Sequence, residues 1–188
     1  MPLSSKNITS TPSLEQRLQD PQQAREAFTE AIATYSERLY WVIRRMVNNH
    51  DDANDLLQNT FMRAWQSLQL FRGDAKLSTW LHKIAINESL TFIEKEKKRL
   101  SLSVDDPDMR LSDMIEADEW TDGDELKKKL RVAIAQLPEK QRLVFNMRYY
   151  DEMPYEEMSE ILGTSVGALK ASYHLAAKKI EKFFAEED

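Results

Sequence analysis

The chain has 188 residues, 41% of them hydrophobic, with no cysteine and a formal net charge of −6. That length fits one domain or two small ones, and the missing thiols exclude disulfides and thiolate metal sites. No apolar run approaches the roughly 20 residues a bilayer span needs and no signal peptide opens the chain, so a cytoplasmic protein without membrane insertion is expected.

Residues 1–20 are polar and are expected to form a disordered extension. Asp20-Pro21 then supplies a cap and a first-turn proline, and Phe28, Ile32, Tyr35, Leu39, Val42 and Met46 follow at steps of three and four, one face of a long helix. Asp51 or Asp52 is expected to cap a second helix, with Ala53, Leu56, Leu57, Phe61, Ala64 and Leu68 on one side. A break at Phe71-Arg72-Gly73-Asp74 precedes a third helix, capped by Ser78 or Thr79 and running from Trp80 to about Arg99. Four glycines in the whole chain and no strand-like alternation make the class all-α. Residues 21–100 are expected to be one small helical domain.

A net negative charge argues against a nucleic-acid binder until its distribution is read. Residues 103–126 carry ten Asp/Glu against one Arg, a net −9, so the rest of the chain is net positive. With few large apolar side chains, residues 101–123 read as an acidic flexible linker. Residues 124–188 then form a second domain, and residues 127–182 hold eleven Lys/Arg against seven Asp/Glu.

Within that domain Pro154 opens a short helix containing Tyr155, Met158, Ile161 and Leu162. Gly163 stands where a helix exit needs a left-handed backbone, and Ser165 can cap the next helix. There Val166, Leu169, Tyr173, Ala176 and Ile180 make an apolar stripe. Lys170, Ser172, His174, Lys178 and Lys179 lie opposite. Two helices joined by a short glycine turn make a helix-turn-helix whose second helix can enter a major groove. A helical hairpin that only packs shares the same turn grammar.

The segments DDANDLLQNTFMRAW (51–65), FRGDAKLSTWLHKIAINESL (71–90) and LPEKQRLVFNMRYYDEMPYEEMSEILGTSVGALKASYH (137–174) closely resemble a group-four, or extracytoplasmic-function (ECF), sigma factor of the bacterial sigma-70 family. The resemblance spans about residues 25–182. It implies a sigma-two helical bundle and a sigma-four helix-turn-helix, joined by the linker. It also implies a non-catalytic factor that binds core RNA polymerase, recognises −10 and −35 promoter elements and promotes melting.

By motif position, Asp52, Asp55, Leu56, Gln58 and Phe61 would dock on the clamp of the largest polymerase subunit, where carboxylates and an apolar seam suit a basic partner. Asn54 and Asn59 replace commonly acidic residues, which leaves more of that interface to Leu56, Leu57 and Phe61. Leu57, Phe61 and Trp65 read equally well as core. The second segment resembles the element that reads the melted −10 strand: Phe71 would wall a pocket for an extruded base, Asn87 would read its edge, and residues 73–79 would close over it. Lys76 and Lys83 would meet phosphates, Trp80 would pack or stack, and His82 is expected as a surface or stacking residue rather than a metal ligand. Lys95, Lys97, Lys98 and Arg99 extend a backbone-contacting end.

In the second domain Arg142 and Arg148 are candidate phosphate contacts, with Lys170, Ser172, His174 and Lys178 facing −35 DNA. The resemblance adds the flap of the second polymerase subunit and an anti-sigma factor as partners. No cofactor, metal or small-molecule substrate is expected, since His50, His82 and His174 are scattered and no phosphate loop or nucleophile–base pair is present. A stand-alone helix-turn-helix regulator would explain residues 154–182 but not 51–90. A partner-binding antagonist is the remaining alternative.

Overall fold

In the computed structural model, residues 12–47, 49–101 and 125–187 are described. All regular structure among them is helical: α1 (Leu14–Gln19), α2 (Ala24–Arg44), α3 (His50–Gln66), a single 3₁₀ turn (Leu68–Leu70), α4 (Leu77–Ser101), α5 (Glu125–Ala135), α6 (Glu139–Tyr149), α7 (Tyr155–Leu162) and α8 (Val166–Glu187). The linker expected over 101–123 lies almost wholly outside the described residues.

Helix α1 corrects the expectation of disorder up to residue 20. Ser13 and Gln16 form a reciprocal capping box, and Leu18 is buried. Asp20 does not cap α2. It accepts from the Gln22 amide at 2.9 Å and the Gln23 side-chain amide at 2.6 Å, holding a turn from which α2 starts at Ala24. Helix α3 is capped by Asn49, which accepts from the Asp52 amide at 2.7 Å, rather than by either aspartate. The helix-turn-helix forms as its residues dictate. Gly163 takes φ 63°, a left-handed exit, and Ser165 accepts from the Ala168 amide at 3.3 Å.

Helices α1 to α4 close around one core that includes Phe28, Leu39, Ile43, Leu77 and Leu81. Fully burying side chains of this size is worth about 1.5–3 kcal/mol each. In the second block α5, α6 and α8 enclose Ile134, Leu137, Phe145, Ala176 and Ile180. A third cluster belongs to both blocks: Val42 of α2 and Ile86 of α4 pack with Met147, Met153, Met158 and Leu169. The two blocks are therefore in direct contact, with α4 against α7.

Candidate nucleic-acid interface

On α3, Asp55 and Gln58 are exposed and Asp52 is half-buried, its carboxylate accepting from the Asn49 side chain at 2.6 Å. Leu56 and Phe61 are 5% and 8% exposed and present no docking surface. Both point into the first core because α2 and α4 cover that face, and Phe61 meets Phe28 edge-on at 6.3 Å. The apolar surface beside Asp55 and Gln58 comes instead from Met62 and Trp65, 58% and 46% exposed. Trp65 leans on Phe28 at 5.1 Å, so its ring is fixed while its outer face stays free.

Phe71 is buried and lies against half-buried Trp80, ring centres 5.0 Å apart. Lys76, Lys83 and Asn87 are exposed on or beside α4. Asn87 opens onto a cleft of about 350 Å³ between the end of α3, the 3₁₀ turn and α4, lined also by Arg63, Gln66, Ser67, Leu70, Ile84 and Glu88. Phe71 supports this region from behind rather than lining the cleft. Arg63 and Glu88 form an ion pair at 2.7 Å at the cleft, a pair the sequence motifs did not single out. An Arg on α3 and a Glu on α4 become neighbours only once those helices pair.

His82 is fully buried, which corrects its expected surface position. Its Nδ1 bonds the Ser78 carbonyl at 2.7 Å and its Nε2 has no hydrogen-bond partner among the described residues. Burial holds its pKa below the ordinary value, the bond to Ser78 opposing. Among the described residues no His, Cys, Asp and Glu cluster could hold a metal ion.

On α8, Lys170, His174 and Lys178 are exposed and Ser172 is half-buried, while Leu169, Ala176 and Ile180 are buried as the stripe predicts. Arg142 and Arg148 are not free cations. Arg142 donates to the Ala135 carbonyl at 3.0 Å, and Arg148 to the carbonyls of Glu152 and Met153 at 3.3 and 3.2 Å. Burial lowers the Arg142 pKa. The Arg148 guanidinium also sits 5.3 Å over the Tyr155 ring, which Lys170 approaches at 5.7 Å. Both arginines close turns that otherwise leave carbonyls without donors.

Comparison with known proteins decides the family. A sigma-70 region 2 model matches residues 31–99 and a sigma-70 region 4 model matches residues 127–180. The ECF RNA polymerase sigma factor SigW of Bacillus subtilis is 30% identical over 165 residues, covering 84% of this chain and 88% of that one. The chain belongs to the ECF sigma factors. The RNA polymerase sigma-H factor of Pseudomonas aeruginosa is 26% identical over 166 residues, covering 84% and 86%. By fold, this sigma factor resembles RpoE of Bartonella quintana, solved with the anti-sigma factor NepR (TM-score 0.68, 20% identity, 85% and 98% covered). It also resembles CnrH, solved with the cytosolic domain of CnrY (TM-score 0.64, 21% identity, 93% and 99% covered). As a sigma factor it binds core RNA polymerase and promoter DNA and directs promoter-specific initiation. The cleft with Asn87 lies in the region 2 match, and the helix-turn-helix lies in the region 4 match. No described helix is long and apolar enough to cross a membrane.

Proposed function

We propose that the two domains divide the work, with residues 21–100 binding core polymerase and melting the −10 element and residues 124–188 reading the −35 element. The surface for the polymerase clamp is Asp52, Asp55 and Gln58 with Met62 and Trp65. Carboxylates steer a basic helical partner, and the two exposed apolar side chains supply the buried anchors. Leu56 and Phe61 act by holding α3 in place.

The observation that carries the melting role is the cleft at Asn87. An extruded base needs a concave site with a group that can read its edge, and extrusion costs a few kcal/mol that only the unstacked state recovers. Asn87 offers a donor and an acceptor, and Gln66 and the Arg63–Glu88 pair add more. Lys76 and Lys83 meet flanking phosphates, and the Phe71–Trp80 pair stiffens the loop 73–76, which leads into α4 at Leu77. On α8, Lys170, Ser172, His174 and Lys178 face the major groove. With Arg142 and Arg148 engaged by backbone carbonyls, shape and backbone contacts outweigh bidentate base readout. The factor supplies no catalytic group and needs no cofactor. It acts in the cytoplasm with the polymerase, whose flap holds the second domain, and an anti-sigma factor restrains it, as the solved complexes of RpoE and CnrH suggest.

Assembly tests the docking surface. Asp55→Arg reverses an exposed charge without touching the core. It should weaken assembly with core polymerase about tenfold, or about 1.4 kcal/mol, with helix content unchanged. Equal assembly in native gels would remove Asp55 from the interface.

A further inference from the structure

The outer face of α8 carries a large side chain to which no role has yet been given. Leu175 is 51% exposed. The buried side of the same helix is made by Leu169, Ala176 and Ile180, with Tyr173 packed beside them, and Leu175 belongs to none of the three hydrophobic clusters. Ala168, Ala171, Leu175 and Lys178 follow one another at steps of three and four, so they share one face. All four are exposed, and exposed His174 lies beside them.

A helix in the major groove reads a base edge by hydrogen bonds or by apolar contact with the C5 methyl of thymine. From Val166 to Lys179 the helix holds no Arg, Asn, Gln, Asp or Glu, which removes most of the side chains that form paired bonds to a base. Ser172 is half-buried, and the Lys170 ammonium lies 5.7 Å over the Tyr155 ring. Arg142 and Arg148 are engaged by backbone carbonyls. Lys178 is a flexible point charge, suited to a phosphate, and phosphate contacts position a helix without reading sequence. An exposed leucine by itself would be ordinary surface. This one stands among Lys170, Lys178 and Lys179 on the second helix of a helix-turn-helix, with no carboxylate on that stretch, so the surface around it fits a polyanion.

We infer that Leu175, with Ala171 one turn before it, reads thymine methyl groups in the −35 element, selecting A·T pairs there by apolar contact. The inference deepens the assignment of α8 to the −35 element and rests on it. Side chains four apart on a helix have Cβ atoms about 5–6 Å from each other, and base pairs along one strand rise by about 3.4 Å. The two residues therefore span thymines on neighbouring pairs or two steps apart. Small residues at Gly167, Ala168 and Ala171 let the helix backbone come close to the groove floor.

The test uses holoenzyme assembled from core polymerase and the full chain. A promoter is first selected by that holoenzyme from duplexes randomised across the −35 window. Each thymine of the selected window is then replaced singly by deoxyuridine, which removes the methyl and keeps every hydrogen-bonding group. At one or two positions the replacement should weaken competition binding about fourfold, the effect of one buried methyl-sized group. Leu175→Ala, which touches neither core, should weaken binding to the thymine duplex by a similar factor and bind thymine and deoxyuridine duplexes equally. Leu175→Met should keep the preference. Where thymine is changed to cytosine, 5-methylcytosine should recover the share due to the methyl. Lys178→Ala should weaken both duplexes alike and reduce the salt slope by roughly 0.9. No position sensitive to deoxyuridine, or a Leu175→Ala factor that keeps the wild-type preference for thymine, would overturn the inference. If Lys178→Ala still weakens −35-dependent binding in that case, methyl readout alone falls. If Lys178→Ala and Leu175→Ala both leave that binding unchanged, the placement of α8 on the −35 element falls with it.

Discussion

The two blocks are built differently. The first closes its own core, with residues from α1 to α4 enclosing Leu39, Ile43 and Leu81 and no help from the second. The second divides its apolar side chains between a private cluster around Phe145 and Ile180 and a shared one in which Met147, Met153 and Met158 are covered partly by Val42 and Ile86. A block that completes its core alone holds a precise site. A block that borrows part of its cover from a neighbour depends on that contact for part of its stability. That division fits the proposed roles, with base capture assigned to the first domain and −35 reading to the second.

Truncation should break the comparison most strongly. Leu81→Ala and Met158→Ala both remove fully buried side chains, each at a cost of about 2–5 kcal/mol. Leu81→Ala should lower hydrogen-exchange protection throughout α1–α4. Met158→Ala should lower it in α6–α8 and along the shared cluster while the α1–α3 core keeps its protection. Uniform loss in both variants would mean one cooperative unit instead of two.

Acid should act next. His82 is buried with its pKa below the ordinary histidine value, chiefly through desolvation, with Arg38 pushing the same way and Ser78 and Glu157 opposing. A depressed pKa means the neutral form is favoured in the fold. Its contribution is complete above the ordinary value of 6.5 and is lost as pH falls through the lowered one. Asp151 has the opposite sign: burial raises its carboxyl more than Arg45 and Arg38 lower it, so its contribution to the fold grows as pH falls toward the ordinary carboxylate range. Thermal unfolding of the full chain should therefore weaken below about pH 6.5, and a His82→Gln variant should flatten that limb. An unchanged slope would show that another group titrates there.

Gly163→Ala should be milder. The residue holds φ 63° with open space where a Cβ would stand, so the cost is backbone strain alone, about 1 kcal/mol. The melting temperature of the second block should drop a few degrees with region 2 function intact.

Much of this was legible in the sequence because it is local. Gly163 and Ser165 announce the helix-turn-helix, and the stripe through Leu169, Ala176 and Ile180 is buried as its spacing requires. Helix α1 was also readable, since Ser13 and Gln16 form a capping box, but the surrounding polar residues hid it. What the sequence could not give depends on packing. Val42 reads as core, yet periodicity cannot say which core it joins. Leu56 and Phe61 sit in a segment that resembles a docking motif but face inward, and the exposed apolar residues there are Met62 and Trp65. Arg45 and Asp151 form an ion pair although more than a hundred positions separate them, and neither belongs to a local motif. Arg142 and Arg148 read as free cations because backbone carbonyl partners leave no mark in composition.

The most direct test of the account is permanganate footprinting of the −10 thymines in holoenzyme carrying Asn87→Ala. Asn87 is exposed at the cleft, so its truncation spares the fold, whereas Phe71→Ala would remove a buried ring at a cost of about 3–5 kcal/mol and confuse capture with stability. The account predicts that thymine reactivity on duplex promoters falls about tenfold or more, the effect of losing roughly 1.4 kcal/mol from the open complex. Duplex binding should be retained, and a premelted promoter should recover most of the reactivity. Normal opening of linear duplex promoters by Asn87→Ala holoenzyme would contradict base capture in this cleft.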